Sequence, residues 1–507
     1  MRRTSLLLLV LFHSLLTWAQ IDVQALDQYF QQAQKDWNVP GLSIAVVKNG
    51  KVILAKGYGV LEKGKTALAD ENSLYAIASN TKAFISASIG ILVDEGKLKW
   101  DDPVQKYLPY FELYDPYVSK HATVRDLLCH RLGLGTFSGD AIWYKTNYSA
   151  EEVVKRAHFL PQDYEFRAGY GYTNLMFIAA GEVIRAASGQ PWDVFVKERI
   201  FKPLGMDRSQ TSTSALSSMS NVAMPHKSIY GPVEPIPYAG WDNMGAAGGI
   251  ISSVSDMARW MNLQLNQGSH NGLAIFSTQA QETFWTMHNS FKVTAGQKQR
   301  YPTRHFAGYG LGWNIADHGG RMIVSHGGGY DGMYSHVMMV PEEKLGVVVL
   351  TNSMTGISPN LCFYVVDQYL GQPRKDWSKL GISGELQYQA ERRNIVEMRK
   401  AARVKNTTPA LSASALVGKY TDPLYGTIEV KMIGDKLEMH FPHGPQLDAV
   451  LGHWHYDTYE IQWKQTHAWY DFGTVQFLTD NNRKVTGIQF DVPNEDIFFE
   501  EIHAKKQ

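Results

Sequence analysis

The sequence predicts two units, a mixed α/β region with an antiparallel sheet against helices, and then a small all-β barrel. Three observations predict this order. An apolar stretch at residues 83–93 has helical spacing. Residues 336–340 alternate and residues 346–350 are continuously apolar, as sheet strands are. From Leu416 onward the hydrophobic period is two, in several short segments separated by turns.

The first twenty residues have the pattern of a secretory signal peptide. Arg2 and Arg3 precede an apolar run at residues 6–12, and the segment ends in Thr-Trp-Ala-Gln at 17–20, with the small Ala19 near the exit. The apolar run is shorter than the ~20 residues of a membrane span. We therefore expect residues 1–20 to be removed, no integral membrane anchor, and export of the protein, to the periplasm in a Gram-negative cell.

The first candidate chemical motif is a serine three residues before a lysine, Ser79 and Lys82, at the start of the helical stretch. Residues at positions i and i+3 share a helix face, so the hydroxyl and the amine can meet. A serine hydroxyl becomes a good nucleophile when a nearby neutral amine accepts its proton. At the first turn of a helix, the dipole also favours developing negative charge. Gly96 marks the expected end of this helix.

The second motif is a tyrosine two residues before an asparagine, Tyr172 and Asn174, just ahead of an apolar run at residues 175–180. Both side chains can point the same way from a loop. The phenol can relay protons, and the amide can orient a substrate carbonyl or Lys82.

The third motif is the glycine-rich segment 325–332, which begins Ser-His-Gly-Gly-Gly and precedes apolar strands. Its spacing predicts a hairpin whose glycine-rich edge lets a substrate backbone approach closely. His326, Gly328 and Gly329 are therefore candidate substrate-binding residues.

In this order and spacing, the three motifs resemble those of the serine β-lactamase and penicillin-binding-protein superfamily. The class C-like branch, with its esterases, D-aminopeptidases and D-Ala-D-Ala carboxypeptidases, is the most similar. Four intermediate stretches are similar as well, residues 127–134, 200–206, 246–258 and 309–313. The resemblance implies a β-lactamase-like α/β (α+β) domain over residues 21–375, with a helical subdomain beside the sheet.

The resemblance also implies roles for individual residues. Ser79 would be the acylated nucleophile and Lys82 its proton acceptor. Tyr172 would serve the leaving group and then the deacylating water, and Asn174 would orient the substrate. The oxyanion hole would consist of the backbone N–H groups of Ser79 and Gly329. The implied reaction uses neither metal nor cofactor.

Two departures from the family pattern bear on the substrate. His326 stands where the penicillin-binding enzymes usually have a lysine that holds a carboxylate, and a histidine with a pKa of ~6.5 is mostly neutral at neutral pH. Gly329 lacks the hydroxyl often found there. Both changes favour an ester, or a substrate recognised through its amino or acyl side. Whether Arg304, His305 or Arg321 restores a positive charge stays open.

The predicted function is hydrolysis of amide or ester bonds in a small molecule or short peptide, including peptides with D-residues. Two alternatives stay open. One is a β-lactamase or D-Ala-D-Ala carboxypeptidase, and the other is a penicillin-binding sensor that acylates without turnover.

Charge and cysteine content exclude other classes of function. The chain has 507 residues, with 49 basic and 49 acidic side chains, so it carries no electrostatic footprint for nucleic acid. Cys129 and Cys362 are the two cysteines, free to pair or to stay reduced. No Cys/His spacing predicts a metal site.

The C-terminal part is predicted to contain a charged helical linker at residues 376–410 and a barrel at 411–507. The barrel resembles the lipocalin-like domain attached to some serine peptidases of this superfamily. There it is implicated in assembly or in covering the active site. A barrel that only stabilises the chain is the alternative, and homo-oligomer formation stays open.

Overall fold

The computed structural model describes residues 22–507, so the signal-peptide prediction lies outside the described residues. An eight-stranded antiparallel sheet forms the centre of the first unit, in the order β2-β1-β8-β7-β6-β5-β4-β3. Its strands are β1 Gly41–Lys48, β2 Lys51–Gly59, β3 Asn289–Phe291, β4 Ala307–Tyr309, β5 Asn314–His318, β6 Arg321–Tyr330, β7 Met333–Val340 and β8 Leu345–Thr351. The predicted antiparallel sheet is confirmed.

Both faces of this sheet are covered, which explains why its central strands are apolar without interruption. On β1, Ile44 and Val46 pack in a core with the first helix, while Ala45 and Val47 belong to the larger core on the other face. Side chains alternate across a strand, so a run that is apolar at every position buries both faces.

The helices flank the sheet and form a helical subdomain at one side of it. The long ones are α1 Val23–Asp36, α2 Thr81–Asp94, α3 Leu175–Ser188, α4 Val254–Leu265, α5 Ile357–Tyr369 and α6 Trp377–Ala401. Helices α1 and α5 contribute to one face of the sheet, and α4 packs on the other. Shorter helices are Pro116–His121, Val124–Leu127, Asp140–Trp143, Ala150–Arg156, Trp192–Val196, Lys202–Leu204, Gly245–Gly248, Thr278–Phe284, Ala295–Arg300 and Ala413–Leu416, with a π-helical turn at Lys197–Phe201.

Helix α2 lies at the centre of the helical subdomain and not on its surface. Every residue from Thr81 to Leu92 is buried, so the helix has no solvent-facing side over three turns. It ends at Asp94, and Gly96 has a positive φ of 70°, as the sequence predicted for the stop.

The C-terminal unit is a closed antiparallel barrel of eight strands, which confirms the predicted all-β barrel. Its strands are β9 Gly418–Asp422, β10 Gly426–Ile433, β11 Lys436–His440, β12 Ala449–His455, β13 Thr458–Trp463, β14 Thr474–Thr479, β15 Val485–Asp491 and β16 Lys505–Lys506. The helix predicted in the linker is α6, which ends at Ala401.

The barrel is docked on the helical subdomain through buried and half-buried polar contacts. Tyr148 Oη donates to the carbonyl of Tyr425 at 2.8 Å. The carboxylate of Glu501 accepts from Ser138 Oγ at 2.6 Å and from the Gly139 amide at 2.7 Å. Because these contacts hold the 138–140 turn, the barrel supports a segment that also faces the candidate site.

Two further findings concern the described residues alone. From residue 22 to 507, no helix has both the length and the apolar character needed to span a bilayer. Cys129 and Cys362 are both buried and free, which settles the open alternative against a disulfide between them.

Candidate active site

Ser79 lies in a tight 3₁₀ turn, Ala78–Asn80, immediately before α2 begins at Thr81. The sequence interpretation placed it in the first helical turn, so the serine lies just N-terminal to that position. Ala78 has a left-handed backbone with φ of 47°, which is uncommon outside glycine. Asn80 Nδ2 donates to Ser335 Oγ at 2.8 Å, and that hydroxyl donates to the carbonyl of Ile77 at 2.7 Å. These bonds tie the serine turn to strand β7.

Lys82 is buried directly beneath Ser79, where the i, i+3 spacing predicted it. Its Nζ is 2.9 Å from Ser79 Oγ, 2.7 Å from Asn174 Oδ1 and 2.9 Å from the carbonyl of Ala247. The side chain is fully inaccessible to solvent, whereas Ser79 is partly exposed. Burial lowers the pKa of Lys82 to about 7, although the charge of Asp140 acts in the opposite direction. The amine is therefore poised to be a neutral base near neutral pH.

Asn174 connects Lys82 to a buried carboxyl group that the sequence interpretation did not include, Asp140. Asn174 Nδ2 donates to Asp140 Oδ2 at 2.7 Å, and Trp143 Nε1 donates to the other oxygen at 2.7 Å. With Asp140 accepting from the amide nitrogen, Asn174 must turn its oxygen toward Lys82. Burial raises the pKa of Asp140 to about 8, against the effect of these two donors. Asp140 thus fixes the orientation of the amide.

Tyr172 lies on the other side of Lys82, on the loop before α3. Lys82 Nζ is 4.9 Å from the centroid of the Tyr172 ring. The ring of His130 packs on Tyr172 with centroids 4.3 Å apart, and His130 Nδ1 accepts from the Thr173 amide at 3.1 Å. Burial holds the pKa of Tyr172 well above its usual value, and the neighbouring Ser79 hydroxyl offsets this only in part. The phenol therefore keeps its proton and can donate it.

His326 lies in the same pocket as a neutral imidazole with both nitrogens occupied. Nδ1 is 2.6 Å from the carbonyl of Gly327, and Nε2 is 2.8 Å from Tyr309 Oη on β4. Burial, and then the charge of Lys82, lower the pKa of His326 to about 3. The expectation of a mostly neutral histidine at neutral pH follows from this environment even more strongly than from its ordinary pKa.

Gly328 and Gly329, after His326, are surrounded differently, so a side chain at each position would meet different atoms. A Cβ on Gly328 would lie 2.2 Å from the carbonyl oxygen of Ile77, so this glycine is needed where β6 meets the serine turn. The close approach predicted for a substrate backbone is, at Gly328, an approach of the protein's own backbone. A Cβ on Gly329 would meet Tyr334 at 3.2 Å and Trp469 at 3.3 Å. Strand β6 pairs with β5 only as far as Ser325, so its glycine segment has a free edge beside Ser79.

These groups surround a cavity of about 490 Å³, a volume typical of small-molecule sites. Six of the seven predicted site residues line it directly: Ser79, Tyr172, Asn174, His326, Gly328 and Gly329. Lys82 lies behind Ser79. The barrel contributes Trp469, Asp496 and Ile497 to the wall.

The cavity wall contains no arginine or lysine among the residues described. Arg304 stacks on Tyr301 with its guanidinium carbon 4.0 Å from the ring centroid. His305 pairs with Asp317, and Arg321 pairs with Glu343. None of these three side chains reaches the pocket, so none supplies the positive charge that the usual family lysine would provide.

Sequence reasoning missed Asp140, the Asn80–Ser335 bond and the barrel residues. A polar Asp140 at the start of a four-residue helix carries no periodic signal. Its partner Asn174 is 34 positions away, and only folding shows their contact.

Two family models match the chain. The model described as Beta-lactamase matches residues 26–361, and the model described as a domain of unknown function (DUF3471) matches residues 402–506. The first covers the sheet and the helical subdomain, and the second covers the barrel.

Relatives and solved structures agree with the first match. The chain is 30% identical over 426 residues to unguisins hydrolase ungD' of Aspergillus campestris, spanning 78% of this chain and 75% of that protein. It is 27% identical over 358 residues to protein flp of Staphylococcus aureus, spanning 69% and 67%.

Two solved structures share the fold. The octameric penicillin-binding protein homologue from Pyrococcus abyssi has a TM-score of 0.62 at 23% identity, covering 96% of this chain and all of that chain. The D-stereospecific amidohydrolase from a Streptomyces species has a TM-score of 0.56 at 22% identity, covering 70% and 100%.

Proposed function

The chain belongs to the β-lactamase family of serine hydrolases, and from that premise we propose that it hydrolyses amide or ester bonds through an acyl-enzyme on Ser79. The observation that carries this proposal is the 2.9 Å contact between Ser79 Oγ and a fully buried Lys82 amine. Because burial lowers the pKa of that lysine to about 7, it can accept the serine proton near neutral pH.

In the first half of the reaction, Lys82 takes the proton of Ser79 as Oγ attacks the substrate carbonyl. The carbonyl oxygen becomes negatively charged and is stabilised by the backbone N–H groups of Ser79 and Gly329. Tyr172, which keeps its proton, donates it to the departing amine or alcohol. The carbonyl carbon stays bonded to Ser79 Oγ as an ester, and Lys82 returns its proton to Tyr172 to restore the phenol.

In the second half, a water molecule replaces the leaving group. A base removes one proton from the water, the resulting oxygen bonds to the carbonyl carbon, and the bond to Ser79 Oγ breaks with reprotonation of Oγ. Lys82 and Tyr172 are the groups placed to move these protons, and Asn174 keeps the lysine amine directed at the serine.

We propose amides, including peptides with D-residues, as the leading substrate class. The names of two relatives support this: one is a hydrolase of unguisins and the other a D-stereospecific amidohydrolase. A β-lactamase or D-Ala-D-Ala carboxypeptidase acts on substrates with a free carboxylate. The described pocket wall offers such a group a neutral His326 and no lysine or arginine, so we place that alternative second.

The test is loss of function in Ser79→Ala, with a matched control on α2, the helix that follows the serine turn. Ser86 is a buried serine of α2 whose hydroxyl has no hydrogen-bond partner among the described residues, so Ser86→Ala removes the same atom away from the site. We expect Ser79→Ala to lose fluorophosphonate labelling and several orders of magnitude in turnover of short-chain esters and D- and L-aminoacyl anilides. Ser86→Ala should keep both.

Undiminished labelling of Ser79→Ala would show that another residue is the nucleophile. A wild-type protein that is acylated by a substrate and then releases no product would support the remaining alternative, a penicillin-binding sensor. Mass spectrometry of the protein after mixing with substrate distinguishes a lasting acyl-enzyme from turnover.

We also propose that the protein is exported, on the pattern of residues 1–20, and that it self-associates, since one neighbour of the same fold is described as octameric. The intact mass and the sedimentation coefficient of protein isolated from its own cells test these two proposals.

A further inference from the structure

The two carboxyl groups in the pocket wall differ in their contacts with the described residues. The cavity wall holds two acidic side chains, Asp140 and Asp496. Both oxygens of Asp140 accept hydrogen bonds, from Trp143 and Asn174. The carboxylate of Asp496 makes no hydrogen bond and no ion pair with any described residue, although its backbone is well ordered by neighbours. An unpaired, partly buried charge is costly, and a bound cation would offset that cost.

The loop that carries Asp496 is held in place from within. It follows β15, and Asn494 makes four hydrogen bonds in it. Asn494 Nδ2 donates to the carbonyls of Val492 and Ile497, each at 2.8 Å. Its Oδ1 accepts from the Asp496 amide at 3.0 Å and from the Ile497 amide at 2.6 Å. These four hydrogen bonds therefore fix the turn that places Asp496 in the pocket wall.

The neighbouring residue secures the same loop on the outside. Glu495 accepts from Tyr388 Oη on α6 at 2.9 Å and pairs with Arg392 of that helix. The two successive acidic residues thus have different surroundings. Glu495 pairs with Arg392 outside the pocket, whereas Asp496 lines the pocket and forms no ion pair with a described residue. Burial, and then the charge of Glu495, raise the pKa of Asp496 to about 7, while the charge of Arg392 acts in the opposite direction, and a cation bound in the pocket would favour the ionised form.

Aromatic rings complete the surroundings of this carboxylate. Tyr334 of β7 and Trp469 of the barrel line the same cavity, with ring centroids 6.5 Å apart. Burial, and then the charge of Asp496, raise the pKa of Tyr334 well above its usual value. Both rings also lie against the position that a Cβ of Gly329 would occupy. The aromatic pair therefore lies against the glycine strand beside Ser79, in the same cavity as the carboxylate.

We infer that Asp496, Tyr334 and Trp469 form a subsite for a cationic group of the substrate, a protonated amine or guanidinium on the acyl side. A carboxylate attracts the cation directly, and aromatic faces stabilise it further. This inference rests on the proposed hydrolysis at Ser79 and names the substrate class of that site. The cation could be the α-ammonium of an aminoacyl group or the end of a basic side chain, and the experiment separates these two sources.

The experiment compares kcat/KM for matched substrates that differ in one charge. For the α-ammonium, the pair is alanyl p-nitroanilide and lactoyl p-nitroanilide, in both D and L forms, because a hydroxyl replaces the ammonium at similar size. For the side chain, the pair is N-acetyl-lysyl and N-acetyl-norleucyl p-nitroanilide. We expect one cationic member to exceed its neutral partner by about tenfold to a hundredfold, the scale of a charge-assisted hydrogen bond.

Variants then assign that preference to Asp496. Asp496→Asn keeps the shape and removes the charge, so the ratio of kcat/KM for the cationic member to that for its neutral partner should fall to about one. Glu495→Gln removes the adjacent charge outside the pocket and should leave the preference intact. Asp496→Lys should disfavour the cationic members below their neutral partners.

The outcomes separate this inference from the proposed function. Suppose that wild type hydrolyses the neutral anilides and Ser79→Ala does not, but that kcat/KM is about equal for the cationic and neutral members of both pairs. This result would overturn the proposed subsite and leave the proposed hydrolase activity standing. An equal loss of preference in Glu495→Gln and Asp496→Asn would overturn the assignment to Asp496. Turnover that survives in Ser79→Ala would overturn the proposed function first.

Discussion

Replacement of Asp140 by asparagine separates the chemistry of Lys82 from the packing around it. Asp140 accepts one hydrogen bond from Asn174 and one from Trp143, both at 2.7 Å. An asparagine has a single acceptor oxygen, so in Asp140→Asn one of these buried donors must face an N–H group. An unsatisfied buried donor costs about 1–3 kcal/mol. If Asn174 rotates to avoid the conflict, Lys82 loses the acceptor that directs its amine.

The same substitution removes a charge that acts on the lysine. Burial lowers the pKa of Lys82 to about 7, and the carboxylate of Asp140 raises it against that effect. Burial raises the pKa of Asp140 itself to about 8, so only the ionised fraction of this carboxyl acts on the lysine near neutral pH, and without that fraction the pKa of Lys82 falls slightly further. Because the neutral amine is the active form, kcat/KM rises as the pH increases through this pKa, and this rise is the acidic limb of the pH profile. The acidic limb of Asp140→Asn should therefore lie at lower pH than that of wild type. The other titratable groups that face Lys82, namely Tyr172, His130 and His326, are unchanged.

The assay is the pH profile of kcat/KM for a neutral ester, from mildly acidic to mildly alkaline pH. In Asp140→Asn we expect a plateau reduced roughly tenfold to a hundredfold, which corresponds to the hydrogen-bond cost above. Asp331→Asn is the matched control. Asp331 is equally buried and accepts from Trp241 Nε1 at 3.1 Å and from Tyr144 Oη at 2.7 Å, but it does not contact Asn174.

The position of the limb decides between a positioning role and a structural one. Asp331→Asn should lower thermal stability and leave the limb where it is in wild type. A limb that stays in place in Asp140→Asn, with only a lower plateau, would refute the electrostatic part of the argument. A plateau equal to that of wild type would refute the positioning part.

Two further predictions concern the serine turn and its base. Lys82→Arg should be nearly as inactive as Lys82→Ala in ester turnover, because a guanidinium cannot accept a proton near neutral pH; near-normal activity of Lys82→Arg would exclude the base role. Gly328→Ala should lower the melting temperature and the rate of fluorophosphonate labelling together, since its Cβ would lie 2.2 Å from the Ile77 carbonyl. Gly327→Ala is its control, because the nearest atom there is 3.4 Å away, and equal effects of the two would contradict the steric explanation.

Periodic features of the sequence were enough to predict most of the architecture. The helix after Ser79 and its end near Gly96 follow from spacing and from a residue suited to a positive φ. The barrel hairpin across Gly434 likewise follows from alternation on both sides of a turn. The complete burial of α2 did not follow, because polar residues such as Ser86 and Ser88 suggest a solvent-facing side.

The candidate site was predictable only where its residues are close in sequence. Ser79 and Lys82 meet because one helical turn brings them together. Asp140 and Asp496 enter through tertiary contacts, one from a four-residue helix and the other from a loop of the barrel. Neither position has a period or a spacing that marks it, and the free carboxylate of Asp496 can be recognised only when its surroundings are known.

The contribution of the barrel to the pocket wall has a consequence for how this enzyme can change. The groups that make and break bonds belong to the first unit, whereas Trp469, Asp496 and Ile497 belong to the second. Part of the substrate-binding wall is therefore encoded in a different stretch of the gene from the reacting groups. Mutations in the loop at residues 492–498 can alter which molecules are accepted while the reacting groups stay intact. A lineage carrying this pair of domains can explore new substrates without first giving up its chemistry.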